Sequence, residues 1–244
     1  MGYLRQEGLF EEVPYAIVDS GWLGSMQKSL QTLLHLVKRR TKLIGYYWGI
    51  YRIPTGMNRE NYRCYFFEPE HHIKEKVYFN NCVYEAVFSA PHGTTTGYRI
   101  KNGKFLPVYG KCPQRQVEFL RQTEKLYSSY LHGLAEQTPL PVSDTECMQE
   151  RETIRKLLSL FMCCPSRAEA AAFGSLPYSD DVLEGDEHPL AAHLTEQQLR
   201  AGHIRTKVLA LTGRSNGPHR ESAWYEASAI LYSCLLYTSN WTGK

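Results

Sequence analysis

No apolar run in this chain reaches membrane length, and no segment has the make-up of a signal peptide, so no membrane span and no export are expected. Strong charge is missing too. The 28 Lys and Arg stand against 25 Asp and Glu, a formal net charge of +3. No dense basic block accompanies it, which excludes nucleic acid as an expected partner. Lys38-Arg39-Arg40 is a short cluster at an expected helix end, where cations suit the helix dipole. The seven cysteines are odd in number, scattered and without a CxxC pair. That pattern suits thiols in a reducing cytosol better than a disulfide framework, so a cytoplasmic location is expected. Cys163 and Cys164 are adjacent, a poor geometry for chelating one metal, and are expected in the core. The acidic stretch with Asp180-Asp181 and Glu184-Gly185-Asp186 lacks calcium-loop spacing and reads as a solvated loop, so no metal site is assigned. Aspartyl-nucleophile (DxDxT), GxSxG and HExxH motifs are all missing. No internal repeat occurs.

What is present is a core-forming chain. Over 244 residues, 43% hydrophobic content is enough to bury a real interior as one large domain or two small ones. The densest information lies in Tyr15 to Leu34. Ala16-Ile17-Val18 read as a short buried strand ending on Asp19, followed by the loop Ser20-Gly21-Trp22-Leu23-Gly24. From Ser25 onward, Met26, Leu30, Leu33, Leu34 and Val37 recur at helical spacing. A strand, a glycine-bearing loop and a helix present free backbone N–H groups and a positive dipole end to an anion. Gly21 and Gly24 permit tight turning, Ser20 and Ser25 supply hydroxyls, and Asp19 stands at a strand's carboxyl end, where open α/β sheets place ligands. The same residues also serve plain helix entry, because Asp, Ser and Gly cap helices and tolerate unusual dihedrals. The loop matches neither GxxxxGK[ST] nor the full GxGxxG.

Further along, Leu43 to Ile50 is a second buried strand, expected parallel to the first through the intervening helix, and Tyr62 to Phe67 a third. Tyr46, Tyr47, Trp48 and Tyr51 read as core aromatics or as a ligand face. Residues 73–88 pattern as a helix. The hydroxyl-rich turn around His92 and Thr94-Thr95-Thr96 fits either a strand entry or a phosphate or sugar contact. Asn102-Gly103 between two alternating runs is a hairpin signature. Helices are expected over 116–134 and 150–162, then from a capping box at Ser166 and Glu169 to Gly174, and from another at Thr195 to Gly202. The expected fold is α/β: a small, mainly parallel sheet with a strand–loop–helix site, an inserted β-hairpin and a helical C-terminal half. The division is expected as 1–137 α/β domain, 138–232 helical region and 233–244 non-native tail.

The phrase AIVDSGWLGSMQKSL followed by GYYWG resembles a segment of predicted haloacid-dehalogenase-like hydrolases that accompany glycosyltransferases in bacterial surface-polysaccharide synthesis. The likeness extends through FSAPHGTTTGY, PSRAEAAAFG and AWYEAS, covering most of residues 3 to 232 in order. It implies a phosphatase-like core, with paired aspartates and a Mg²⁺ site, lying upstream of this segment. Asp19 does not map as that core's nucleophile, because Gly21 stands where the acid/base aspartate belongs. The loop also resembles that of phosphoribosyltransferases, with Ser20 in place of the second acidic residue. Both likenesses treat the loop as a cradle for a phosphorylated sugar or nucleotide, with Asp19, Ser20, Gly21, Trp22, Gly24, Ser25 and His92 as ligand-facing residues and Gln27 near the rim. The competing expectations are a scaffold that packs a hydrolase core against a glycosyltransferase domain, and a phosphoribosyltransferase-like enzyme. Cys234 to Ser239 resembles translated sequencing-adapter DNA, so the chain is expected to be a fragment of a longer, environmentally derived protein.

Overall fold

The computed structural model describes residues 1–37, 42–71, 75–76, 79–137, 144–178, 188–199 and 222–232, with backbone only at 144–147 and 178. The basic cluster at 38–40, the Pro-rich linker, the acidic loop at 180–186, the stop at Gly202 and the tail 233–244 fall outside these residues. The protein is mixed α/β, with a small parallel sheet, a separate hairpin and a helical C-terminal half. No described helix is long and apolar enough to cross a membrane.

Packing divides the chain into two units, Met1–His72 with His92–Cys112, and Ile73–Pro91 with Pro113–Lys244. This differs from a boundary at residue 137: the chain leaves the first unit, returns to it for the hairpin, then leaves again.

The first unit opens with α1 (Gly2–Gln6), closed by Gly8 in the left-handed region at φ 76°. Strands β1 (Ala16–Asp19), β2 (Ile44–Gly49) and β3 (Tyr62–Phe67) form a parallel sheet in that order. Helix α2 (Ser25–Leu36) connects β1 to β2. A loop ending in a 3₁₀ turn, Arg59–Asn61, connects β2 to β3. The register pairs Val18 with Tyr46 and Asp19 with Tyr47.

One expectation fails on α2. Its predicted apolar face included Met26, which is exposed, whereas the buried residues are Gln27, Gln31 and Leu34. Gln31 Oε1 accepts the Leu43 N–H at 2.8 Å, and Gln27 Nε2 donates to the Leu43 carbonyl at 2.8 Å. Two amides four residues apart therefore satisfy the backbone that leads into β2, which a leucine there could not do.

The hairpin β4 (Thr95–Lys101) and β5 (Lys104–Tyr109) turns on Asn102 and Gly103, both at positive φ (52° and 75°) as a type I′ turn requires. Gln6 of α1 holds β5 through both amide atoms, bonding the Phe105 carbonyl and N–H at 2.9 and 2.7 Å.

In the second unit, Asn80 caps α3 (Asn81–Phe88), its Oδ1 accepting the Val83 N–H at 3.2 Å. Before that cap Glu75 and Lys76 are helical, and residues 73, 74, 77 and 78 of the expected helix lie outside the described residues. Helices α4 (Gln114–Gln137), α5 (Asp144–Cys163) and α6 (Arg167–Gly174) follow, then a short ladder of β6 (Pro177–Tyr178) with β7 (His188–Pro189), and α7 (Tyr225–Tyr232). Cys82, Val83 and Ala86 share a core with Ala170, Leu190 and Trp224. Trp224 is fully buried and donates Nε1–H to the Met162 carbonyl at 2.8 Å. Of the adjacent cysteines, Cys164 is exposed rather than core.

Candidate functional site

The site is assembled at the carboxyl ends of β1 and β2, in the first unit. Asp19 closes β1, and its Oδ1 accepts the Gly21 N–H at 2.7 Å, folding the loop back on itself as an Asx turn. The carboxyl is half-buried, and desolvation pushes its pKa up, against the lowering effect of the Gly21 hydrogen bond. The Tyr47 hydroxyl lies near it, but its hydrogen is directed to Gln27 Oε1 at 2.9 Å. Burial, followed by the charge of Asp19, raises the Tyr47 hydroxyl well above the ordinary tyrosine range.

Gly24 is the N-cap of α2, in the left-handed region at φ 59°. A Cβ there would run into the Tyr62 ring, whose hydroxyl donates to the Gly24 carbonyl at 3.3 Å. Glycine is thus required twice over, by its dihedral and by the approach of Tyr62. Its consequence is an open helix end: no side chain caps α2, and Ser25 and Met26 in the first turn are exposed. The Trp22 carbonyl accepts the Tyr51 N–H at 2.9 Å, and Lys28 Nζ donates to the Thr55 carbonyl at 3.0 Å. These bonds attach the β1–α2 loop and its helix to the segment that follows β2.

That segment carries a half-open cavity of about 400 Å³. Its walls include Tyr51, Arg52, Thr55, Met57, Arg59 and Glu70. Arg59 is pinned by Glu68 at 2.5 Å and Glu70 at 2.6 Å, and these carboxylates raise its already high pKa. Sequence reasoning missed this cavity. Pro54-Thr55-Gly56 reads only as a chain break, and no spacing rule joins Arg59 to carboxylates nine and eleven positions on.

The structure gathers Asp19, Ser20, Gly21, Trp22, Gly24 and Ser25 in one loop. It removes Gln27 from the rim. Gln27 is 0% exposed, with Nε2 donating to the Leu43 and Asn61 carbonyls (2.8 and 3.0 Å) and Oε1 accepting from Tyr47. A side chain so fully engaged and sealed from solvent is a floor, not a ligand contact. Gly45 is its counterpart on β2, because a Cβ there would collide with Gln27 Oε1. His92 is exposed, but its ring stacks on Tyr109 at 3.9 Å between centroids and its Nδ1 lies 2.9 Å from the Gly93 carbonyl. These contacts place it at the base of the hairpin. Among the described residues no group of three or more His, Cys, Asp or Glu gathers as a metal ligand set.

Set against models of known protein families, the chain matches none, and it matches no curated protein.

Proposed function

We propose that the β1–α2 loop binds the phosphate of a phosphorylated sugar or nucleotide. The observation that carries this reading is the uncapped start of α2, where Gly24 leaves the first-turn N–H groups without a side-chain partner beside the exposed Ser25. Asp19 is a positioning residue in this reading: its Oδ1 shapes the loop through Gly21 rather than meeting the anion, which would repel it. The resemblance to haloacid-dehalogenase-like hydrolases sets the context proposed for this binding, surface-polysaccharide synthesis. Any phosphatase step would then fall to motifs that these 244 residues do not contain.

Thermal melting with inorganic phosphate tests the reading. At a hundredfold excess over its dissociation constant, phosphate would add about 2.7 kcal/mol to stability. Ser25→Glu puts a carboxylate where the phosphate would sit. It should abolish the phosphate-induced shift while stabilising the ligand-free protein by about 0.3–1 kcal/mol through the helix dipole. Asp19→Asn, which keeps an acceptor for Gly21, should retain the response, and Asp19→Ala should lose it. No shift with phosphate would overturn the reading.

A second reading has its own observation. Val18 is 88% exposed and its register neighbour Tyr46 51%, although parallel sheets are ordinarily covered on both faces. This supports a scaffold role in which the sheet packs against a hydrolase or glycosyltransferase domain. Melting that ignores every phospho-ligand would leave this reading standing.

A further inference from the structure

The cavity beyond β2 adds a subsite to the proposed phosphate loop, and the inference below rests on that reading. Two hydrogen bonds, Tyr51 N–H to the Trp22 carbonyl and Lys28 Nζ to the Thr55 carbonyl, tie one wall of the cavity to the loop and helix that would hold the anion. Pro54 of the cavity wall lies 3.4 Å from where a Cβ on Gly24 would stand, so the cavity adjoins the start of α2. At about 400 Å³ the cavity falls within the range of roughly 300–1,000 Å³ usual for small-molecule sites.

Its chemistry is that of a neutral, hydroxyl-bearing ring. Arg52 and Arg59 carry two positive charges against those of Glu68 and Glu70, which hold Arg59 from two sides, so the four groups balance and offer a second phosphate no net attraction. Glu70 uses Oε2 on Arg59, and its Oε1 has no hydrogen-bond partner among the described residues. That oxygen is an acceptor for a sugar hydroxyl, and the fixed guanidinium beside it is a donor for another. Tyr51, Met57 and Pro54 supply an apolar floor suited to the C–H face of a ring. Tyr51 already packs its ring against Phe67 at 4.9 Å and 46°, which favours a puckered sugar over a flat nucleobase seeking a clear stacking platform.

We propose that the Tyr51–Glu70 cavity receives the sugar of a sugar phosphate, with Glu70 accepting from a ring hydroxyl and Arg59 donating to its neighbour. The ligand class of the loop is thereby narrowed from a phosphorylated sugar or nucleotide to a phosphorylated monosaccharide.

Titration calorimetry on the full chain with inorganic phosphate, glucose 1-phosphate and uridine monophosphate tests this. Glucose 1-phosphate should bind at least tenfold more tightly than phosphate or the nucleotide. Glu70→Gln should reduce that advantage about tenfold, the scale of one hydrogen bond to a charged group, and leave phosphate affinity unchanged. Glu70 is an exposed side chain, so the variant should fold, and its unchanged melting point without ligand checks that. If phosphate binds but glucose 1-phosphate gains nothing, or uridine monophosphate binds best, the subsite is overturned and the phosphate loop survives. If phosphate itself fails to bind, the loop reading falls and this inference with it.

Discussion

Helices α2 and α6 begin in opposite ways. Helix α6 closes its own N-terminus: Ser166 Oγ accepts the Glu169 N–H at 3.2 Å, and Glu169 Oε2 accepts the Ser166 N–H at 2.7 Å. Helix α2 begins on a left-handed glycine with no side-chain cap. Both face the same problem, since the first N–H groups of any helix lack intrahelical partners. At α6 the chain solves it internally, which suits a helix whose task is to carry Ala170 into a core. At α2 the groups stay open, and the glycine that leaves them open is dictated by Tyr62 and by its own dihedral. An unfilled helix start beside a strand's carboxyl end is what separates a candidate binding loop from a structural turn.

The two carboxylates at these helix starts also diverge. Hydrogen bonding from Ser166, side chain first and then backbone, holds Glu169 below its ordinary pKa, while desolvation holds Asp19 above its own. Glu169 thus favours the folded state once ionised, and Asp19 opposes ionisation.

The largest expected effect concerns what lies beneath α2. Gln27→Leu should destabilise the protein by about 3 kcal/mol or more in urea unfolding, because it strands the Leu43 and Asn61 carbonyls and the Tyr47 hydroxyl in a sealed site. A change below about 0.5 kcal/mol would show that these groups find other partners, and that the floor does not set the loop.

Next comes the pairing of helix starts. Ser166→Ala should cost about 1 kcal/mol, whereas Ser25→Ala should change stability by less than about 0.5 kcal/mol, since no side chain caps α2. Equal losses in the two variants would erase the contrast and return the loop to an ordinary capped turn.

The smallest effect is in pH dependence, read from urea midpoints across the acid range. Glu169 has a lowered folded pKa, so its contribution is complete above its unfolded value of about 4.3 and is lost as pH falls through the folded value. Asp19 has a raised folded pKa, so its contribution is complete below about 3.9 and is lost as pH rises through the folded value. Glu169→Gln should flatten the acid limb, and Asp19→Asn should remove the loss on the rising side. The same slope change from both substitutions would contradict the opposite environments assigned to them.

Much of this was legible from local signals. The hairpin turn at Asn102-Gly103 and the capping box at Ser166 are short-range chemistry, in which a few neighbouring residues set the dihedrals or supply the partners. The strand ending on Asp19 and the helix from Ser25 followed from residue type and spacing, but that strand, expected to be buried, leaves Ala16 and Val18 exposed. The buried face of α2 was not legible. Periodicity ranks glutamine as surface, and only the backbone of Leu43 and Asn61 and the Tyr47 hydroxyl make its burial favourable. The same holds for the division into units. Residues 73–91 lie within the expected 1–137 domain, yet Cys82, Val83 and Ala86 share a core with Ala170, Leu190 and Trp224, which ties that stretch to elements after residue 137.

By itself, the sequence determined the α/β class, the order of strands and helices from β1 to α6 and the glycine-bearing loop between β1 and α2, because each depends on residues within a few positions of one another; the β6–β7 ladder and α7 were not legible. Tertiary structure alone decided that Gln27 is floor and not rim, that His92 serves the hairpin, and that Arg59 and Glu70 pair on the wall of a cavity attached to the loop. Those outcomes depend on which distant backbone groups need a partner, and no local pattern of side chains carries that information.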